Sequence, residues 1–287
     1  RVAEAHRQRR VQDHHDGSGL STSPIGVFDS GVGGLSVLNA LREALPHERF
    51  VYFADAGHAP YGERGDDYVA TRTRAVARYL LEVHRIKALV VACNTATAAA
   101  IHELRGEHGA LPVVGVEPAL KPAVAATRTG HIAVIATRVT LASRKFKALH
   151  ASLAAQADFR IVPCDGLAGA IERGDVAGIA ALSERYLREA GRFGSAPGDI
   201  DTLVLGCTHY PFIEAELRRH CGESVRFIDT GAPVALQTRR LLAEAGQLVA
   251  EGEGAVALLS SADPEALDAA AARWLSRPAG PATAAVA

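Results

Sequence analysis

The chain has 287 residues, enough for one large or two ordinary domains with a buried core. Its 31 basic and 32 acidic residues leave a formal net charge of −1, which creates no overall field for nucleic acid or an anionic membrane surface, so neither is expected as a partner. No apolar run approaches the ~20 residues of a membrane span, and the polar, Arg- and His-rich start lacks an apolar signal core, so a cytoplasmic protein is expected.

Four cysteines (Cys93, Cys164, Cys207, Cys221) in that compartment read as reduced thiols. There is no C-x-x-C pair, and Cys207-Thr208-His209 is not a usual ligand spacing, so no metal is expected. Lysine occurs only at 87, 121, 145 and 147, none in a strand-end motif, so nothing suggests the Schiff-base lysine of pyridoxal phosphate chemistry. Residues 1 to 23 are polar and unpatterned and are expected to form a disordered extension.

The folded part opens with a strand, Ile25-Gly26-Val27-Phe28, then Asp29-Ser30-Gly31-Val32-Gly33-Gly34 and a helix from Leu35. A glycine-rich turn there first suggests dinucleotide binding, with Asp55 as a ribose carboxylate. Ser36 falls where the third glycine belongs, however, and the charge of Asp29 opposes a pyrophosphate. A strand from Phe50 to Ala54 follows, then a loop with Asp55, His58, Tyr61 and Gly62, and a long helix from about Asp67. Tyr61-Gly62 taken alone is a turn.

The strand Ala88 to Ala92 runs into Cys93-Asn94-Thr95 and an Ala-rich helix. Cys93 therefore sits where a strand hands over to a helix, near the positive end of a helix dipole that favours thiolate and can hold a carboxylate. Further strands are expected over 112–116 and 131–136. Thr137 ends the second of these, where a hydroxyl commonly caps the next helix, expected from about Leu141. A strand over 159–162 leads to Cys164, and Glu172, near the end of a short helix, is by default a solvated charge.

The same grammar returns at Thr202-Leu203-Val204-Leu205-Gly206-Cys207-Thr208-His209-Tyr210-Pro211: strand, cysteine, polar turn, helix. Strands over 225–228 and 255–259, each followed by a helix, close the fold. The alternation predicts an α/β protein with largely parallel sheets, and Asp29, Cys93, Thr137 and Cys207 all fall at carboxyl ends of strands, where such sheets place their sites. The two matched cysteines lie about one small domain apart, which suggests two facing domains with one thiol from each.

A redox pair, a cysteine hydrolase and a two-base proton transfer all use thiols. The first prefers C-x-x-C, and the second leaves one matched cysteine unexplained. Inverting a carbon stereocentre without a cofactor needs one group to take a proton from one face and another to return one to the opposite face. Asp29 and His209 are ionisable neighbours that converge on the two sulfurs. The helix N-termini at Asn94-Thr95 and Thr208 suit an α-carboxylate, and Ser30 with Tyr61-Gly62 suits a second one, which points to an acidic amino acid.

Phe28-Asp29-Ser30-Gly31-Val32-Gly33-Gly34, Ala59-Pro60-Tyr61-Gly62, Ala92-Cys93-Asn94-Thr95-Ala96 and Leu205-Gly206-Cys207-Thr208-His209-Tyr210-Pro211 resemble the signatures of the glutamate racemases, from about Ile25 to about Leu259. The resemblance implies two pseudo-symmetric, doubly wound domains with the active site in the cleft between them: 24–116 plus 227–277 on the Cys93 side and 117–226 on the Cys207 side; the Ala/Pro-rich tail over 278–287 is expected from its composition to be frayed. It implies a cofactor-independent isomerase that interconverts L- and D-glutamate for peptidoglycan, commonly as a homodimer. By similarity, Cys93 deprotonates D-glutamate and Cys207 L-glutamate, with Asp29, His209 and Glu172 assisting. Ser30, Tyr61, Gly62, Asn94, Thr95, Thr137 and Thr208 would then bind substrate beside Asp29 and His209.

The chain departs from the family pattern at Ala54-Asp55-Ala56-Gly57-His58, in place of Gly-Asp-Thr-Ala-Arg, and at Val139 and Asp165, in place of Gly and Pro. A β-branched Val139 gives a reason to expect strain in the turn carrying Thr137. Rival readings are an aspartate racemase, an amino-acid-binding module with silent thiols and, more distantly, a nucleotide-dependent dehydrogenase.

Overall fold

The computed structural model describes residues 22–287. Most of the expected disordered extension, residues 1 to 21, lies outside the described residues, while Thr22 and Ser23 adopt no regular secondary structure. The chain begins with β1 (Ile25–Asp29), α1 (Leu35–Ala44), β2 (Phe50–Ala54), α2 (Asp66–His84), β3 (Ala88–Val91), α3 (Asn94–Glu107) and β4 (Val113–Gly115). It continues through α4 (Leu120–Ala126), β5 (His131–Ala136), α5 (Arg138–Ala142), α6 (Arg144–Leu153), β6 (Asp158–Pro163), α7 (Leu167–Arg173), α8 (Val176–Ala190), β7 (Thr202–Gly206), α9 (Glu214–Cys221) and β8 (Arg226–Ile228). It returns with α10 (Gly231–Glu244), β9 (Val256–Ser260), α11 (Pro264–Trp274) and β10 (Ala282–Ala284).

Two sheets result, in the orders β10-β9-β2-β1-β3-β4 and β6-β5-β7-β8. Every pairing within these sheets is parallel, as the alternation of strands and helices predicts. Parallel strands covered on both faces read as continuous apolar runs, and β1, β2, β3 and β7 are buried along their whole length. On the first sheet, Leu35, Leu38 and Leu41 of α1, Leu242 of α10 and Leu267 of α11 cover one face. Val69, Val76 and Leu80 of α2 and Ile101 and Leu104 of α3 cover the other. The second sheet is sandwiched by Leu167, Ile171, Leu187 and Leu217 on one side and by Leu120, Phe146 and Leu153 on the other. Each such fully buried leucine contributes on the order of 2 kcal/mol.

Three expectations need correction. The boundary expected between residues 226 and 227 falls inside β8, which pairs with β7, so this strand belongs to the second sheet. The tail is not frayed: β10 extends the first sheet beside β9, and Ala285 is buried with its N–H on the Ser260 carbonyl. Val139 brings no strain, because it lies in α5 with helical geometry, and Arg85 is the sole non-glycine residue with positive φ among the described residues. The segment after Thr137 is two helices broken at Ser143, whose side chain caps α6. The turn after His209 is 3₁₀ before α9 begins. Among the described residues, no helix is long and apolar enough to cross a membrane.

Candidate active site

The carboxyl ends of β1, β3, β5 and β7 deliver Asp29, Cys93, Thr137 and Cys207 to one cleft between the two sheets. Cys93 is the N-cap of α3, and its sulfur accepts from the Ala96 N–H at 3.5 Å. Its thiol also reaches Ser30 Oγ at 3.6 Å. The expected pull of the helix N-terminus is therefore present, but it loses. Burial, joined by the negative charge of Asp29, pushes the Cys93 thiol up to about 12, against the Ala96 and Ser30 hydrogen bonds. The sequence shows the helix start, which does favour the thiolate, and not the depth of burial that outweighs it.

Asp29 is fully buried. Its Oδ2 accepts from Gly34 N–H at 2.8 Å and Gly31 N–H at 3.3 Å, and its Oδ1 has no partner. Burial raises its pKa, His209 and the two N–H groups oppose the rise, and Glu172 adds to it. The glycine turn thus spends its Gly31 and Gly34 N–H groups on its own aspartate and its Val32 N–H on Glu172, which closes the dinucleotide reading. Its glycines serve close approach instead: a side chain at Gly33 would overlap His209, and one at Gly31 would overlap Glu172, both from the other half of the molecule.

Cys207 and His209 form the facing half, with Cys207 Sγ 3.7 Å from His209 Nδ1. His209 Nε2 lies 2.5 Å from Glu172 Oε2, and Glu172 in turn accepts from the Val32 N–H at 3.1 Å. Burial alone would lower the His209 pKa, yet its bonds to Cys207 and Glu172 hold it well above the ordinary imidazole value. Burial likewise works against the Glu172 carboxylate, but His209 and Val32 bring its pKa below the usual value. Glu172 is thus no solvated charge. It is the end of a relay from Cys207 that touches the opposite half of the molecule.

Other expected site residues divide by what their polar atoms already do. Asn94 donates Nδ2 to the Gly206 carbonyl at 2.9 Å and leaves a buried Oδ1 without a partner. Thr95 and Thr208 are buried beside the two cysteines. Tyr61 gives its hydroxyl to Asp55 at 2.6 Å, so what the Tyr61-Gly62 turn offers a ligand is main chain. Gly62 faces Thr137 across the cleft, its ideal Cβ position 3.8 Å from Thr137 Cγ2. Thr137 takes the capping role on Thr140 N–H at 3.3 Å. Cys164 and Cys221 stay buried hydrophobes in the second core.

Sequence reading missed Ser36, seen only as a failed third glycine. Its single hydroxyl proton is within reach of the Gly33 and Thr208 carbonyls, both at 2.8 Å, and donated to Thr208 it ties the Cys207 turn to the Asp29 turn. It also missed Asp55 and Arg72 as support for Tyr61. The available signal for Asp55 was its place at the end of β2, next to β1 and Asp29 in a parallel sheet.

A sequence model of the Asp/Glu/Hydantoin racemase family matches residues 25–259. The chain belongs to the Asp/Glu/Hydantoin racemase family. A glutamate racemase of Stutzerimonas stutzeri is 46% identical over 245 residues, 85% of this chain and 90% of that one. Among solved structures, the glutamate racemase isoform RacE1 of Bacillus anthracis is 32% identical with a TM-score of 0.80, over 92% of this chain and 97% of that one. The Francisella tularensis glutamate racemase in complex with D-glutamate is 26% identical with a TM-score of 0.78, over 92% and 98%. Within the racemase family, the arrangement described here amounts to two cysteines at the carboxyl edges of two parallel sheets. The charge of Cys207 is near enough to contribute to the raised Cys93 pKa.

Proposed function

We propose that the chain is a glutamate racemase in which one thiolate removes the α-proton and the opposite thiol delivers another, without a cofactor. The observation that carries this reading is the pairing of Cys93, beside Ser30 and Asp29, with the Cys207–His209–Glu172 relay. D-glutamate is the ligand of the Francisella structure, and the Stutzerimonas relative is a glutamate racemase, which supports glutamate as the substrate.

Each half-reaction balances within the site. The Cys93 thiolate takes the α-proton of D-glutamate and becomes a thiol, and the thiol of Cys207 returns a proton to the other face of the carbanion and becomes a thiolate. The L to D direction runs in reverse. His209 can pass a proton to or from Cys207 Sγ, because it bonds that sulfur through Nδ1 while Glu172 supports its charged form through Nε2. Asp29 serves Cys93 and, with Asn94 Oδ1, offers unpaired acceptors for an ammonium. A substrate cation there would lower the Cys93 thiol from its raised value, so the base is made as the substrate arrives. N–H groups at Asn94-Thr95 and Thr208 hold the α-carboxylate, and Ser30 with the Tyr61-Gly62 main chain and Thr137 holds the side-chain carboxylate. The product D-glutamate would feed peptidoglycan synthesis, and the same reading makes the protein a homodimer.

The test is circular dichroism of the protein with D-glutamate and no added cofactor, repeated in D₂O with mass analysis. Decay of the signal to zero with deuterium at the α-carbon is expected. Activity on aspartate alone would overturn the choice of substrate, and glutamate binding without exchange of the α-hydrogen would overturn catalysis. Cys93→Ser and Cys207→Ser should each slow racemisation by about 10³-fold or more with the melting temperature little changed, since each removes one acid/base at nearly constant volume.

A further inference from the structure

Beside the catalytic groups lies a second buried cluster that the mechanism does not use. Asp55 follows β2 and is fully buried, and its main-chain N–H donates to the Asp29 carbonyl at 2.9 Å. Arg72 of α2 grips its carboxylate with a fork, Nε to Oδ2 at 3.1 Å and Nη2 to Oδ1 at 2.9 Å. Tyr61 Oη donates to the same Oδ2 at 2.6 Å, and His58 Nδ1 lies 2.9 Å from Oδ1. Arg72 Nη1 is occupied as well, by the Ala287 carbonyl at 2.9 Å.

Tyr61 transmits this grip. Its ring packs against Phe28, with centroids 6.2 Å apart, in the cluster that also holds Cys93. Its hydroxyl is held to the carboxylate and is not available to a ligand, so the position of the following Gly62 is fixed from behind. Gly62 is the residue that faces Thr137 across the cleft. A planar guanidinium fork sets both the distance and the plane of a carboxylate, which a point charge does not.

We propose that Arg72, acting through Asp55, is a positioning residue for the Tyr61-Gly62 turn and hence for the side-chain carboxylate of the substrate. This inference rests on the glutamate reading of the site. Its consequence is on binding: neither group touches the reacting carbon, so their loss loosens the ground state and transition state alike, and KM rises while kcat stays nearly constant.

Initial rates in both directions test this for wild type, Arg72→Gln, Arg72→Lys, Tyr61→Phe and the Arg72→Gln, Tyr61→Phe double variant, with melting temperatures on the same preparations. Arg72→Gln should raise KM about tenfold for both enantiomers and change kcat by less than about threefold. An equilibrium constant of one requires kcat/KM to fall equally in the two directions. Arg72→Lys, which keeps the charge and loses the fork, should fall between wild type and Arg72→Gln, and it carries the test if Arg72→Gln does not fold. In the double variant the KM effect should be clearly smaller than the product of the single effects, because Tyr61→Phe already cuts the link through which Arg72 acts. Fully multiplicative effects, an unchanged KM or a loss confined to kcat would each overturn the inference. An inactive wild type would instead overturn the racemase reading and this inference with it.

Discussion

Cys93 and Cys207 hold equivalent places at strand ends but unequal surroundings. Cys207 has an imidazole at 3.7 Å, whereas Cys93 has a serine hydroxyl and, close by, the buried carboxylate of Asp29. With a pKa of about 12, the Cys93 thiol is ionised at pH 9 to only about one part in a thousand. Alkylation of Cys93 by iodoacetamide should therefore be slow in the free protein. Asp29→Asn removes a charge that opposes the thiolate, so it should speed this alkylation several-fold at pH 9 while slowing racemisation. Mass spectrometry of the Cys93 peptide reads the result, and an unchanged alkylation rate would show that burial alone sets the thiol. Asp29, Cys93, Cys207 and His209 were legible because strand, turn and helix signals placed them at or just beyond the carboxyl edges of the two sheets. Ser36 and Arg72 were not, because their decisive partners are a main-chain carbonyl 172 residues away and a carboxylate on another element. A backbone partner leaves no mark in the sequence.

At the scale of elements, α7 does for Cys207 what no neighbour in sequence does. It carries Glu172 across the cleft to the Val32 N–H and His209, so one carboxylate joins the second sheet's layer to the turn after β1. Glu172 has its pKa lowered, so its stabilisation is present above the ordinary carboxylate value and is lost as pH falls through the lower folded value. His209 has its pKa raised, so its contribution is complete below the ordinary imidazole value and is lost as pH rises through the raised one. The pair is fully formed only between these limits. Glu172→Gln should cost about 1.5 kcal/mol near neutral pH, or roughly 4 °C in melting temperature, and the gap should narrow in both strong acid and strong alkali. Melting curves at pH 3.5, 7 and 10 check this, and a gap independent of pH would mean that packing, not charge, is lost. Strand and helix order was largely readable from periodicity, but β10 was not: Pro278 to Ala287 has the composition of a frayed end, and only the open edge of β9 makes it a strand.

For the whole molecule, the two halves are tied across the cleft by hydrogen bonds from side chain to main chain and by an aromatic stack. Ser36 Oγ holds the Thr208 carbonyl, Asn94 Nδ2 holds the Gly206 carbonyl, and the Phe212 ring stacks on Trp274 of α11 with centroids 4.5 Å apart. Two of these ties sit directly beside Cys207, so the geometry around this thiol and the closed cleft are one structure. Ser36→Ala leaves the Thr208 carbonyl without this partner, a loss of about 1–3 kcal/mol if the group stays buried. Opening the cleft lets water reach that carbonyl at smaller cost, so the variant should open before it unfolds. We expect a melting temperature within about 3 °C of wild type, a KM raised several-fold for both enantiomers, and faster amide exchange confined to the residues around Cys207–Tyr210. On the glutamate reading, saturating D-glutamate should restore the slow exchange. If exchange rises evenly across both sheets instead, the Ser36 tie belongs to the folding of the core and not to the closing of the site.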